Sequence, residues 1–429
     1  MPTATHPRGR QQPMRSPAEF IPDFAPSPFL KTSPRLQIAC LLLVISVVPW
    51  RQNVYYSGGA DIVVVAKAVV LALSAAVAIT TRRPARLPIP VLPLAILIAY
   101  IFVSLIGATV LGSNFASAVL GFRLLIAGTV VAILLWSHRT EHVVSAITLS
   151  MLLIGSVAAI TGISTLASGR LSGGIPPVAP NEIAILCSVP FIVLVWRSIS
   201  IGAGWPELVS LPILAATIYA TGSRTGVMAV AVVVVMTLLR SRRIPIPIIM
   251  TILLGIPTLV LIAVSTSALT NFAERGGTEN IQSLSSRTIA WSAAFDSDNG
   301  LLGKLFGAGL AQKMIPVPGQ YWSTQKLDST WVSAYIQAGW LGLALLTLLV
   351  VLGILAALGA PRPESNLWMA LLVFVVARSL LESGMLDASS GFLIFFTVVL
   401  GASSRRLDRL KTEPIGSPEV SIQTMRWMA

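Results

Sequence analysis

The sequence predicts an all-α, polytopic integral membrane protein of about twelve transmembrane helices with one long extracytoplasmic loop. Three observations predict it. Hydrophobic residues make up 55% of the chain, 11% are charged, and the mean hydropathy is +0.81. A soluble domain carries about 25% charged residues, so a globular enzyme with one anchor is excluded. Apolar runs close to bilayer length recur along the chain, separated by short basic loops. One interval, from Ser267 to about Gly342, breaks that rhythm with a long polar stretch, which inside a membrane protein marks a functional loop.

Residues 1–34 are rich in Pro, Arg and Ser and hold no apolar run, so they read as a disordered cytoplasmic tail. No clear signal peptide is present there. Twelve spans follow at 36–50, 60–80, 88–112, 115–136, 143–166, 182–197, 207–222, 226–239, 244–266, 329–357, 367–383 and 388–403. Each is near the roughly 20 residues that cross a bilayer, the first, sixth and eighth being short. The membrane domain is thus expected over 35–404, with a long extracytoplasmic loop at 267–328 and a cytoplasmic tail at 405–429.

The charge distribution supports that topology. The formal net charge is +13, from 30 basic and 17 acidic residues. Arg82, Arg83, Arg86, Arg139, Arg197, Arg240, Arg242, Arg243, Arg362, Arg405, Arg406, Arg409 and Lys411 all fall in predicted cytoplasmic segments. Predicted outer loops before the long one hold only Arg51, Arg170 and Arg224. This positive-inside bias puts both termini in the cytoplasm and the long loop outside. It also accounts for the basic excess without nucleic acid, since the charges are scattered in short loops. Cys40 and Cys187 sit in apolar runs without metal-ligand spacing.

Charges inside spans need a reason, because each costs about 2.5–3.5 kcal/mol at a helix centre on insertion scales. Lys67 lies in the second span and Arg123 in the fourth, where snorkelling, a structural partner or an anion are open alternatives. Arg378 and Glu382 stand four apart on the eleventh, a spacing that suits a self-neutralising pair.

On the predicted outer side, Gly and Pro shape the loop from Ser168 to Glu182, which carries Arg170 and Asn181. Gly222 and Gly226 flank Arg224 between the seventh and eighth spans. In the long loop, Ser285 and Ser286 are placed to cap a helix beginning at Arg287, with Trp291 one turn on. Arg170, Arg224 and Arg287 thus come from three loops on one side. A guanidinium fork matches phosphate oxygens and stays charged, so such a set suits a lipid-linked pyrophosphate at the bilayer edge. Singly, each arginine serves equally well on a lipid headgroup or a loop carboxylate.

These residues resemble the O-antigen ligase and O-antigen polymerase superfamily of bacterial membrane glycosyltransferases. The matching positions are Arg170 with Gly173, Gly174, Pro180, Asn181 and Glu182; then Ser223 to Gly226; then Arg287 to Trp291 with Gly307 and Gly309; then Asp328 to Trp331 with Gly339 to Gly342. The resemblance covers roughly residues 165–345. It implies a metal-independent, cofactor-free transfer of sugar chains from an undecaprenyl-pyrophosphate carrier to a glycan or lipid acceptor, in the bacterial cytoplasmic membrane. Carried over, Arg224 and Arg287 are expected to hold the pyrophosphate with help from Arg170; Asn181, Trp291 and Arg123 are further candidates for substrate binding. Family ligases carry a His-Asn pair where this chain has Asp328 and Ser329, and His6, His138 and His142 are all predicted cytoplasmic. That departure favours the polymerase-like members, which often carry Asp there.

The acceptor hydroxyl must lose a proton, and Asp328 is the first choice of base, with Glu182 second. Asp328 also suits a salt bridge or a helix cap. Trp291, Trp322 and Trp331 suit either sugar stacking or interfacial anchoring. Two other readings stand beside this one: a carrier of anions or lipid-linked oligosaccharides, and a cell-wall polymerase using an acidic residue and a lipid pyrophosphate. A carrier is expected to show duplicated halves around a midplane site, and no duplication is visible.

Overall fold

The structure, a computed structural model, describes residues 24–51, 55–59, 61–81, 88–111, 113–241, 287–296, 300–317 and 323–412. The described secondary structure is helical apart from one two-stranded sheet. In order it comprises α1 (Pro34–Val47), α2 (Ile62–Thr80), α3 (Val91–Leu111), α4 (Asn114–Ser137), α5 (Thr140–Thr161), α6 (Pro180–Ser200), α7 (Trp205–Ala220) and α8 (Arg224–Arg240). After the undescribed stretch come α9 (Arg287–Asp296), α10 (Gly300–Phe306), β1 (Met314–Pro316), β2 (Thr324–Lys326), α11 (Thr330–Gly359), α12 (Glu364–Ser379) and α13 (Ser390–Thr412).

Local chemistry sets several helix starts. Ser33 accepts from Leu36 N and Pro34 opens α1; Asp61 accepts from Val63 N ahead of α2; Ser223 accepts from Gly226 N ahead of α8. Helical periodicity then decides what is buried. On α2, Lys67, Leu71, Ser74 and Ala78 face the bundle, while Ile62, Val65, Val69 and Leu73 face outward. An exposed apolar stripe of that length suits lipid, not water. Seven helices, α2 to α6, α11 and α13, are long and apolar enough to cross a membrane, and α1 and α7 are shorter apolar helices. The protein is an all-helical integral membrane protein.

Helices α1 to α8 and α11 to α13 fall on eleven of the twelve expected spans. The ninth, 244–266, lies outside the described residues, as do Ser285, Ser286 and Trp322. Helix α13 runs well past its expected end at 403, because Arg405 turns back to grip Glu364 at the start of α12. The expected tail also ends earlier. Phe24 is 3% exposed between Trp196 and Trp368, and Ser27 is buried with its hydroxyl on Glu207 at 2.5 Å. Residues 24–33 therefore belong to the folded bundle.

The described part of the long polar interval is built, not structureless. Between α8 and α11, helix α9 and the β1–β2 hairpin, whose Met314 pairs with Lys326, form a small cap. Ala290, Ala294, Ile315, Leu327, Val332, Tyr335 and Ile336 make its apolar cluster. Helix α11 is broken at Gly339, where φ is 65° and ψ is −162°. The break frees the carbonyls of Ile336 and Gln337. Ala308 N and Gly309 N donate to them at 2.7 and 3.0 Å, and Ser104 Oγ donates to Gln337 O at 3.0 Å. A Cβ at Gly339 would run into Leu305 O, and one at Gly107 into Phe306 O. Glycine is thus required where α3, α10 and α11 meet.

Candidate active site at one end of the helix bundle

Alternating helix direction brings one set of helix ends together. The C-terminal ends of α1 and α12 and the N-terminal ends of α2, α4, α6, α11 and α13 surround a cavity of about 370 Å³. Its walls also include the segments around Tyr55, Lys313 and Lys326 and the α12–α13 connection. The opening turns of α6 and α13 point their partial positive charge into it, which favours an anion.

The wall nearest the cap is a chain of ion pairs. Arg287 Nε lies 3.8 Å from Asp328 Oδ2, and its Nη2 lies 3.8 Å from Glu382 Oε1. Lys326 Nζ lies 3.4 Å from Asp328 Oδ1. Lys313 pairs with Asp387, and Arg51 with Asp61 at 3.0 Å. Asn181 ties this wall to the loop before α6. Its Nδ2 donates to Glu382 Oε1 at 2.7 Å, its Oδ1 accepts from Arg170 Nη2 at 2.9 Å, and its carbonyl accepts from Arg378 Nη2 at 3.0 Å. Thr330 Oγ1 donates to Glu382 O at 3.0 Å, fixing the start of α11 on the same corner.

Burial raises the Asp328 carboxyl above the ordinary carboxylate range. Lys326 pulls it down, Glu382 pushes it up, and Arg287 pulls it down. Tyr55 is pushed up to about 12 by partial burial and by the negative charges of Asp328, Asp387 and Glu382, so it stays a hydroxyl donor.

The floor of the cavity differs. Lys67 is 6% exposed and donates to Val48 O at 2.7 Å. Arg123 Nη2 donates to Ser46 O at 2.5 Å and to Ala388 O at 3.3 Å. Glu182 lines the cavity beside them, and its Oε1 has no hydrogen-bond partner among the described residues.

The structure thus brings Asp328, Arg287, Asn181 and Arg170 into one network and sets Glu182 and Arg123 in the same cavity. Arg224 opens α8, directly after the turn whose Thr221 carbonyl accepts from Arg170 Nε at 3.2 Å; Arg224, Arg170 and Arg287 do not line the cavity themselves, the last two meeting its wall through Asn181, Asp328 and Glu382. Trp291, expected as a substrate contact, packs on the cap's apolar cluster and does not line the cavity. Trp331 is a structural tie, its Nε1 donating to Ser379 Oγ at 3.0 Å. The expected Arg378–Glu382 pair does not form. Helix α12 ends at Ser379, so Glu382 leaves the helical register and turns to Arg287 and Asn181.

Sequence reasoning missed Lys313, Asp387 and Tyr55 as site residues. Asp387 was accessible to it, as an acid in the short connection between the last two spans on the cavity side. Nothing local marked Lys313 or Tyr55.

Fold and site together define a polytopic membrane protein with a charged, half-open cavity at one end of its helices. Residues 209–347 match the family model described as O-Antigen ligase. This match supports a place for the chain in the O-antigen ligase and polymerase superfamily. No curated protein matches the chain. The matched segment contains Arg224, Arg287, Lys313 and Asp328, whereas Arg170, Asn181, Glu182, Glu382 and Asp387 come from outside it.

Proposed function

We propose that this protein is a membrane glycosyltransferase. It transfers or polymerises oligosaccharide units from an undecaprenyl-pyrophosphate carrier onto a glycan or lipid acceptor at the outer face of the bacterial cytoplasmic membrane. The carrying observation is that Asp328, Glu382 and Asn181 line one cavity and that Arg287, which like Asp328 lies in the segment matched by the O-antigen ligase model, pairs with both acids.

The acceptor hydroxyl attacks the anomeric carbon. The new glycosidic C–O bond forms as the bond from that carbon to the phosphate oxygen breaks, and the carrier diphosphate leaves with the electron pair. Asp328 takes the hydroxyl proton, and its raised affinity for protons suits that task. Negative charge grows on the departing oxygen, where a well-placed cation is worth about 3 kcal/mol. Arg287 stands 3.8 Å from the base, and Arg224 supports it from α8. Glu182 is the second choice of base. As the resemblance implies, no metal enters this scheme.

Arg287→Ala and Arg224→Ala are each expected to abolish polymer or ligated product while the protein still inserts. Normal product from both variants would remove this mechanism. Purified protein given a lipid-linked donor and no gradient is expected to transfer glycan, and movement of donor without transfer identifies a carrier instead. In a deletion strain, short units accumulating on the carrier mark a polymerase and long chains a ligase.

A further inference from the structure

Helix α10 carries an apolar face that is left open among the described residues. Leu301 is 75% exposed and Leu302 55%, whereas Gly303 is buried and Leu305 and Phe306 are half-buried. The other side of α10 packs on α3 and α11. Its backbone is pressed on them so closely that a Cβ at Gly107 would meet Phe306 O and one at Gly339 would meet Leu305 O. Two leucines turned outward side by side are unfavourable in water and favourable in lipid, so the depth of α10 decides what they face.

That depth is set by the helices α10 touches. Gly339 breaks α11, and the roughly 20 residues after it, from Trp340 to Gly359, rise about 30 Å, the thickness of a hydrocarbon core. Trp340 thus stands at the edge of that core, on the cavity end of the bundle, and is 52% exposed. Tryptophan is enriched at such edges. Gly107 lies about 6 Å short of the end of α3 and meets the residue next to the one at Gly339, so it is at the same level. Leu301 and Leu302 are then at most about 8 Å along α10 from this edge. From Trp340 onward, Leu341, Leu348, Val351 and Leu355 carry an exposed apolar stripe along α11. Trp340 also ends an aromatic ladder from the cap, with its ring 5.1 Å from Tyr335, which stacks on Phe295 at 5.1 Å. The exposed Lys304 has a stem long enough to carry its charge to headgroups.

We propose that α10 is an interfacial foot, its Leu301–Leu302 face lying in the boundary between headgroups and acyl chains of the leaflet at the cavity end. The partner is lipid, not a second protein, because the face is level with the edge of the hydrocarbon core and continuous with the apolar stripe of α11. The chain after α10 is pinned to α11 through Ala308 N and Gly309 N, and Gln337 Nε2 donates to Gln312 O at 3.3 Å. The depth of α10 therefore fixes the start of the hairpin that carries Lys326, and the foot ties the cap to the membrane surface. This inference is independent of glycosyl transfer.

The test is fluorescence quenching on the full chain in vesicles of phosphatidylethanolamine and phosphatidylglycerol. Cys40 and Cys187 are buried, so a thiol-reactive, environment-sensitive dye reports an introduced cysteine. Dyes on Leu301→Cys and Leu302→Cys are expected to lose quenching by aqueous iodide. A lipid nitroxide near the headgroup is expected to quench them more than one near the bilayer centre, as suits a depth of about 5–10 Å. Thr324→Cys, exposed on β2, is the aqueous control and is expected to show iodide quenching without nitroxide quenching. Iodide quenching at both leucine positions equal to that at Thr324 overturns the proposal. A dye shielded from iodide and from both nitroxides marks a face covered by protein, a second copy included, and overturns it too. Both leucines point away from α3 and α11, so their replacement leaves that packing intact.

Discussion

Asp328 holds the shortest argument from residue to chemistry. Its carboxyl is held above the usual range by burial, and it lies between Lys326 and Arg287. A base must be ionised to accept a proton, so activity should fall as pH drops through this raised pKa. The acid limb of the rate profile is therefore expected above the ordinary carboxylate range, near 4 for a free Asp. Asp328→Asn should lower the rate by about a hundredfold or more. An unshifted acid limb in the variant assigns the titration to another group. Asn181 has a different task, since it joins Arg170, Arg378 and Glu382 through three hydrogen bonds. Asn181→Ala keeps the carbonyl bond and removes the two side-chain bonds. The expected cost is about 1–3 kcal/mol, visible as a lower Tm in detergent together with reduced transfer. Unchanged Tm and transfer would show that the network does not depend on it.

At the scale of elements, the break in α11 decides the shape of the cap. Gly339 takes a backbone conformation that L side chains rarely adopt, and the space its Cβ would fill belongs to Leu305 and Phe306. Gly339→Ala is therefore expected to destabilise the protein by about 2 kcal/mol or more, seen as loss of monodisperse protein or a fall in Tm. A variant as stable as wild type would mean that the chain straightens there without loss. Helix α9 is held through the cap's apolar cluster, and Trp291 is part of that packing. Trp291→Phe should keep most transfer activity and Trp291→Ala should lower stability. A specific loss of sugar affinity in Trp291→Phe, with Tm unchanged, would return this residue to the substrate.

The whole molecule is polarised along its helices. The cavity occupies one end, with Arg51, Arg170, Arg287 and the acids that meet them. The other end gathers Arg139 on Glu141, Arg197 on Glu207 at 2.7 Å, Arg240 on Asn366 and Arg405 on Glu364. The described arginines of the two groups that the charge rule assigned to opposite sides, such as Arg170 and Arg287 against Arg139, Arg197, Arg240 and Arg405, thus stand at opposite ends of the bundle. The helices and this polarity were legible in the sequence, because lipid-facing surface needs continuous apolar runs and hydropathy reports those locally. A helix carrying Arg287 and Trp291 and the glycine-rich passage at Gly307 and Gly309 were legible too, since helical spacing and positive-φ turns are local events. What joins Asp328 to Glu382, Lys313 to Asp387 and Arg170 to Asn181 was not. Each bond closes a separation that no short pattern encodes, and burial, which sets the charge state of Asp328, exists only once the helices pack. The sequence by itself determined a helical membrane protein, its reversals and the residue types of its chemistry. Only the tertiary structure decided which charges neutralise one another, because that depends on distances between helix ends distant in the chain.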